Sequence, residues 1–205
     1  MTEYQQPGMQ PDAFNAEPAA EKEKSPDVLM AESFGKGKIQ DAREIAQKIE
    51  MPPDLFARKM MEYARAQDVF EMVEEMQEAG SAAEFLVSPE TQAAAVIFLF
   101  RELSADRTSA AIQAIDLFQI PEYIFAAEDI QHRLKAAALH AMEIGDSTGS
   151  VELANRCKID AAFLLSDEMK QAAIACRKIL STRSGAKIPI RIAKLEQDFS
   201  LPPME

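Results

Sequence analysis

Two cysteines, two histidines and one short Gly-Lys run are the residues of this 205-residue chain whose types could do chemistry. Cys157 and Cys176 fall on consecutive helical segments, each where neighbouring copies of a repeat carry an apolar residue. Buried, inert thiols are therefore expected. Two sulfurs with no histidine nearby fall short of the four ligands of a structural zinc site. The opening of the sequence has neither the basic start nor the apolar core of a secretory signal, which implies a reducing, cytoplasmic compartment and no structural disulfide. His132 and His140 stand eight apart on one helix. Metal-binding pairs prefer a spacing of four and need further ligands, so surface histidines are expected. Gly35-Lys36-Gly37-Lys38 lacks the GxxxxGK[ST] spacing and a preceding strand, so it is no phosphate loop. No Ser, Cys or Lys is paired with a base by a local motif, and the many carboxylates have no placement that makes one an acid or a base. The reading is of no catalytic residue, no metal and no cofactor, with an enzyme unsupported. Function has to be sought on the surface and in what positions it.

What positions it is a repeat. LVSPETQ at 86–92, FAAEDIQ at 125–131 and LLSDEMK at 164–170 recur with a constant period of 39. In the middle copy, Ala111, Ile112, Ile115 and Phe118 make one apolar helical stripe, which Pro121 ends. Ile124 and Phe125 should tuck under the turn. A second helix carries Ile130, Leu134, Ala137, Ala138, Ala141 and Met142 inward and ends at Gly145. The copies agree. Phe85-Leu86 and Phe163-Leu164 match Ile124-Phe125, and Ser88 and Ser166 both read as N-caps. Phe118 and Ile120 map to Cys157 and Ile159 and, after a three-residue insertion, to Phe199 and Leu201. Upstream, Ile49 to Phe56 repeats the helix exit with the spacing shortened to about 30. The persistent positions are apolar, so this is a repeat of packing.

Taken in order, residues 1–38 read as a disordered tail, rich in proline and charge. The apolar island Asp27–Met30 within it reads as inert linker, with a docking peptide as the sharper alternative. A helical-repeat domain is expected over 39–205, with residues 188–205 as a C-terminal cap and about nine helices. The apolar run at 93–100 places the most buried helix at 88–103, and no run approaches the ~20 residues needed to cross a bilayer. Met51, Met60, Met61, Met72 and Met76 cluster early. They read as gap-fillers of an imperfect repeat, with an adaptable groove as the sharper alternative.

Net charge is −12 and unevenly placed. No Lys or Arg occurs between Arg65 and Arg101, a window holding Glu71, Glu74, Glu75 and Glu78. These read as a solvated helix face or, more sharply, as an acidic patch that steers a basic partner. Toward the C-terminus Arg177, Lys178, Arg183, Lys187, Arg191 and Lys194 accumulate without an acidic residue, a candidate rim for an acidic partner. Opposed ends would also allow head-to-tail association; the oligomeric state stays open. The acidic balance, and a basic stretch with no interleaved aromatic, argue against nucleic acid.

The paired-helix repeat resembles the α-solenoid class, which includes HEAT and tetratricopeptide proteins. A spacing of 39 suits HEAT length better than the tetratricopeptide 34, whose signature residues are missing. The resemblance implies an all-α, right-handed stack of antiparallel helix pairs presenting a long surface to protein partners. The expected function is a protein–protein interaction module, an intracellular scaffold or adaptor. The alternatives are a permanent subunit of a larger secretion or envelope machine, or its chaperone.

Overall fold

Helix caps set the frame of the molecule, a computed structural model that describes residues 24–202. Thirteen helices occur among these residues, and no strand. Five of them stand at the same place in successive copies of the sequence repeat and are the leading helices: α2 (Ile39–Lys48), α4 (Ala66–Glu78), α7 (Thr108–Leu117), α10 (Ser147–Arg156) and α13 (Ile188–Asp198). All five end on one device. A residue in the left-handed region follows the helix: Glu50, Gly80, Gln119, Lys158 and Ser200 in turn. The next amide then donates back into the last turn, Met51 to Ala46, Ser81 to Met76, Ile120 to Ile115, Ile159 to Ala154 and Leu201 to Glu196. This is the Schellman closure, which satisfies carbonyls the helix leaves open. Gly80, Gln119 and Lys158 are spaced by 39, so the repeat read from apolar residues is also a repeat of backbone conformation.

After each of the three middle leading helices comes a short helix: α5 (Ala82–Val87), α8 (Glu122–Phe125) and α11 (Ala161–Leu164). A long trailing helix follows, namely α6 (Pro89–Ser104), α9 (Glu128–Glu143) and α12 (Asp167–Ser181). Ser88 and Ser166 cap α6 and α12 by accepting from the amides of Thr91 and Met169. Ala127 holds the same place before α9 with the same extended backbone, but has no oxygen to cap with. Phe85, Leu86 and Phe125 are buried under these turns, while Ile124, Phe163 and Leu164 pack partly buried against the same core. The apolar pairs keep equivalent environments, with burial easing in the last copy.

The core runs through the whole array. Phe70, Phe98 and Phe118 stack edge-on from α4, α6 and the end of α7, with centroids 5.8 and 6.0 Å apart. The trailing helix α6 is largely buried, as its composition suggests, yet Ile97 faces outward at 63% exposure. Helix–helix contacts include α6 with α7, α9 with α10, α1 (Pro26–Gly35) with α2, α9 with α12, α7 with α10, α12 with α13, α3 (Pro53–Tyr63) with α6, and α4 with α7.

The N-terminal boundary is a correction. Residues 26–35 of the expected tail form α1 (Pro26–Gly35), which packs on α2 and on α3 (Pro53–Tyr63). Ser25 caps it, Pro26 occupies its first turn, and Met30 and Phe34, four apart, are buried at 1% and 0% exposure. The ring of Phe34 meets that of Phe56 at 5.5 Å. Met30 is thus core rather than linker. Two anchors are too few for a visible period; tertiary packing, not propensity, holds such a short helix. Residues 1–23, the rest of the expected tail, lie outside the described residues.

Candidate functional site

No group of three or more His, Cys, Asp or Glu side chains among the described residues is arranged to hold a metal. His132 is exposed, and His140 Nε2 lies 2.9 Å from Asp106 Oδ1 on the surface. The cysteines are free and buried. They sit at opposite ends of α10: Cys157 caps its C-terminus, whereas Cys176 lies against Ser147 at its start, about 15 Å away along the helix. Burial pushes the Cys157 thiol up to about 12 and, as the largest of several influences, raises that of Cys176. Both are locked in the unreactive thiol form.

Two polar devices lie outside the repeat of apolar positions. Gln92 Nε2 donates to the carbonyls of Leu86, at 2.5 Å, and Phe118, at 2.9 Å. Gln131, at the equivalent place in the next copy, donates to the carbonyls of Phe125, at 2.7 Å, and Cys157, at 3.2 Å. Each glutamine therefore ties its own short helix to the end of the next leading helix. Its signal was present in the final Q of LVSPETQ and FAAEDIQ. The third copy has Lys170 there. The second device is Glu102, with no exposed side-chain surface, held by Arg101 Nη2 at 2.8 Å and Arg107 Nε at 2.5 Å. Burial pushes its carboxyl up, but the hydrogen bonds from Arg107 and Arg101, with their charge, outweigh that and leave it below the ordinary value. Its counterparts are Ala141 and Leu180, so nothing in the repeat foretells a buried charge.

The C-terminal cations divide. Arg177 donates to Glu196 at 3.1 Å and to the carbonyl of Pro202, and its side chain is only 12% exposed. Arg191 donates to the carbonyl of Gly145 at 3.3 Å. These two belong to the docking of α13, so the six do not form a uniformly uncompensated rim. Lys178, Arg183, Lys187 and Lys194 are exposed, with no ion pair among the described residues.

The acidic end holds the larger opening. Leading helices α4 and α7 pack together, as do α7 and α10. Between α2 and α4 there is instead a trough, occupied by cavities of about 470 and 880 Å³ that share Arg43, Met72 and Glu75. Its cause is local. Pro52-Pro53 leads α2 straight into α3 with no intervening short helix, which is why the spacing there contracts. The place is lined by Met51, Phe56, Met72, Met76 and Phe85. Along α4, Asp68, Glu71, Met72, Glu75 and Met76 form one stripe at helical spacing and all face the trough. Glu71 and Glu75 thus belong to it, while Glu74 and Glu78 are exposed but do not line it. Met60 touches the smaller cavity, and Met61 is core.

Asp41, Asp54, Asp68, Glu71, Glu75 and Glu84 line the two cavities, against the cations Lys38 and Arg43. Those two are already paired within the rim, Lys38 with Asp41 at 3.4 Å and Arg43 with Glu75 at 3.7 Å. Asp68 is likewise held, by Arg65 Nε at 2.9 Å, so it is Asp54, Glu71 and Glu84 that leave the trough with excess negative charge over a thioether and aromatic floor.

No family model matches this chain, and neither a curated protein nor a solved structure matches it. No helix among the described residues is long and apolar enough to cross a membrane.

Proposed function

We propose that the chain is a protein–protein interaction module of α-solenoid type, a right-handed stack of antiparallel helix pairs that serves in the cytoplasm as a scaffold or adaptor. The trough between α2 and α4 is the observation that supports this reading most. It is an open channel, apolar over its larger part, with an acidic rim, between leading helices whose counterparts α4 and α7, and α7 and α10, are in contact. Small-molecule sites set a few convergent polar groups deep in a pocket. Among the described residues the buried side-chain polar atoms without partners are Gln92 Oε1, Arg177 Nε and Arg191 Nε, none of them in the trough. An elongated apolar floor with charge on its rim suits a peptide segment better.

The exposed lysines and arginine near α13 supply a second, separate contact surface in this reading. The test is affinity capture with the full chain, followed by reconstitution of each retained protein as a purified pair. A direct binary complex of defined stoichiometry is expected. Failure of every retained protein to rebind as a pure pair would remove the adaptor reading. Lys187→Glu with Lys194→Glu is the right probe of the basic surface, because Arg191 is engaged with Gly145.

A further inference from the structure

We propose that the trough between α2 and α4 binds an amphipathic helix of a partner protein, apolar along one stripe and edged with Lys or Arg toward α4. This rests on the interaction-module reading and names the partner's chemistry. Leading helices α4 and α7, and α7 and α10, are in contact where α2 and α4 leave this opening. The Arg43–Glu75 pair crosses it at 3.7 Å, and a guest helix bearing its own cations takes the place of Arg43 on Glu75. From Asp68 to Met76 the wall runs about 12 Å, and α5 extends it, enough for two to three turns of a guest helix. Met51, Met72 and Met76 give a floor that adapts to varied apolar shapes.

Charge decides the orientation. The α4 wall presents Glu71 with no cation partner, and Asp54 and Glu84 at the wider end are likewise without an ion pair among the described residues. Lys38 is spent on Asp41, Arg43 reaches across from α2 to Glu75 on α4, and Asp68 is held by Arg65, which leaves Glu71, Asp54 and Glu84 for a guest. A guest with cations along one edge completes the α4 side, while an acidic guest meets like charge throughout.

Two nearer occupants fit worse. Residues 1–23 carry Glu3, Asp12, Glu17, Glu21 and Glu23 against Lys22, a net charge of −4 that the rim repels. The basic helix α13 of a second copy offers one strongly exposed apolar residue, Ile190, since Ile188, Ile192 and Leu195 pack on the core. One side chain does not fill the larger cavity.

The test uses the full chain and two labelled peptides, each long enough to span the trough as a helix. One is a Leu/Lys helix with Leu at i, i+3, i+4 and i+7; the other replaces every Lys by Glu. Fluorescence anisotropy reads affinity, and the ¹³C-methyl signals of the methionines read location. The Leu/Lys helix should bind, with Met51, Met72 and Met76 shifting while Met142 and Met169 stay fixed. The Leu/Glu helix should bind at least roughly tenfold more weakly. Glu71→Lys with Glu84→Lys, both surface changes, should weaken the Leu/Lys helix roughly tenfold and leave the circular dichroism unchanged. Met76→Gln, which alters the floor without charge, should weaken both peptides. Equal affinity for the two peptides, or binding that spares the three methyl signals, would overturn the proposal. So would tighter peptide binding after deletion of residues 1–23, which assigns the trough to the chain itself. Concentration-dependent self-association abolished by Glu71→Lys with Glu84→Lys would assign it to a second copy. Purified partners that still bind when the trough is altered would retain the adaptor reading and remove only this site.

Discussion

Replacing Gln92 by Leu tests whether the short helices are held to the next repeat by a side chain. The amide donates to two carbonyls on different elements, Leu86 and Phe118, and the residue is 8% exposed. Leucine fits the volume but leaves both carbonyls dry. An unsatisfied buried acceptor costs about 1–3 kcal/mol. Part is returned, because Gln92 Oε1 is itself buried without a partner and leaves with the amide. The net loss should be about 2–3 kcal/mol, which for a chain of this size lowers the melting temperature by about 4–12 °C. Gln131→Leu should cost less, about 1 kcal/mol, since that side chain is half-buried and water can replace it. Urea unfolding followed by helical circular dichroism, with calorimetry beside it, gives both numbers. A Gln92→Leu chain as stable as its parent, or Gln131→Leu the more damaging of the two, would refute the reasoning.

The copies also predict repairs to one another. Ala127→Ser should place a hydroxyl on the Ile130 amide, as Ser88 and Ser166 do on theirs, and raise stability by about 1 kcal/mol in the same assay. Gln119→Gly, at φ 49°, should add about 0.5–1 kcal/mol by removing a side chain from the left-handed position that glycine fills in the previous copy. Glu102 has a folded pKa below its unfolded value of about 4.5, so its ionised form stabilises above that pH and the contribution is lost as pH falls through the folded value. Glu102→Gln should therefore cost about 2 kcal/mol at pH 7, and the deficit should narrow as unfolding is measured progressively below pH 4.5. Cys157 and Cys176 should resist an aromatic disulfide reagent at pH 8 and react together in urea; fast labelling of either in the native chain would contradict their burial.

Much of the architecture was legible because it repeats. Ser88, Ser166, Gly80 and Gly145 announce helix ends by side-chain type alone, and the apolar pairs at 85–86, 124–125 and 163–164 mark the same turn three times. Gln119 and Lys158 adopt the conformation of Gly80 without resembling it, so only their spacing reveals them. Helix α1 escaped notice because Met30 and Phe34 are its only buried anchors in a proline- and charge-rich stretch. Glu102 was invisible for the opposite reason, standing where its copies have Ala and Leu. The trough was legible only as a contraction of the spacing near Pro52-Pro53, and no sequence period says which methionines, among five, end at its floor. The basic end was overread, since a run without acids does not show Glu196 and the carbonyls of Gly145 and Pro202 reaching Arg177 and Arg191.

Hydrogen exchange of the full chain, resolved by helix, bears most directly on the claim that each repeat is held by its neighbours alone. The account predicts slowest exchange in α6, α7, α9 and α10, which have neighbours on both sides, falling away toward α1 and α2 at one end and α13 at the other. One uniform level of protection from α1 to α13, or α13 as the slowest helix, would contradict it.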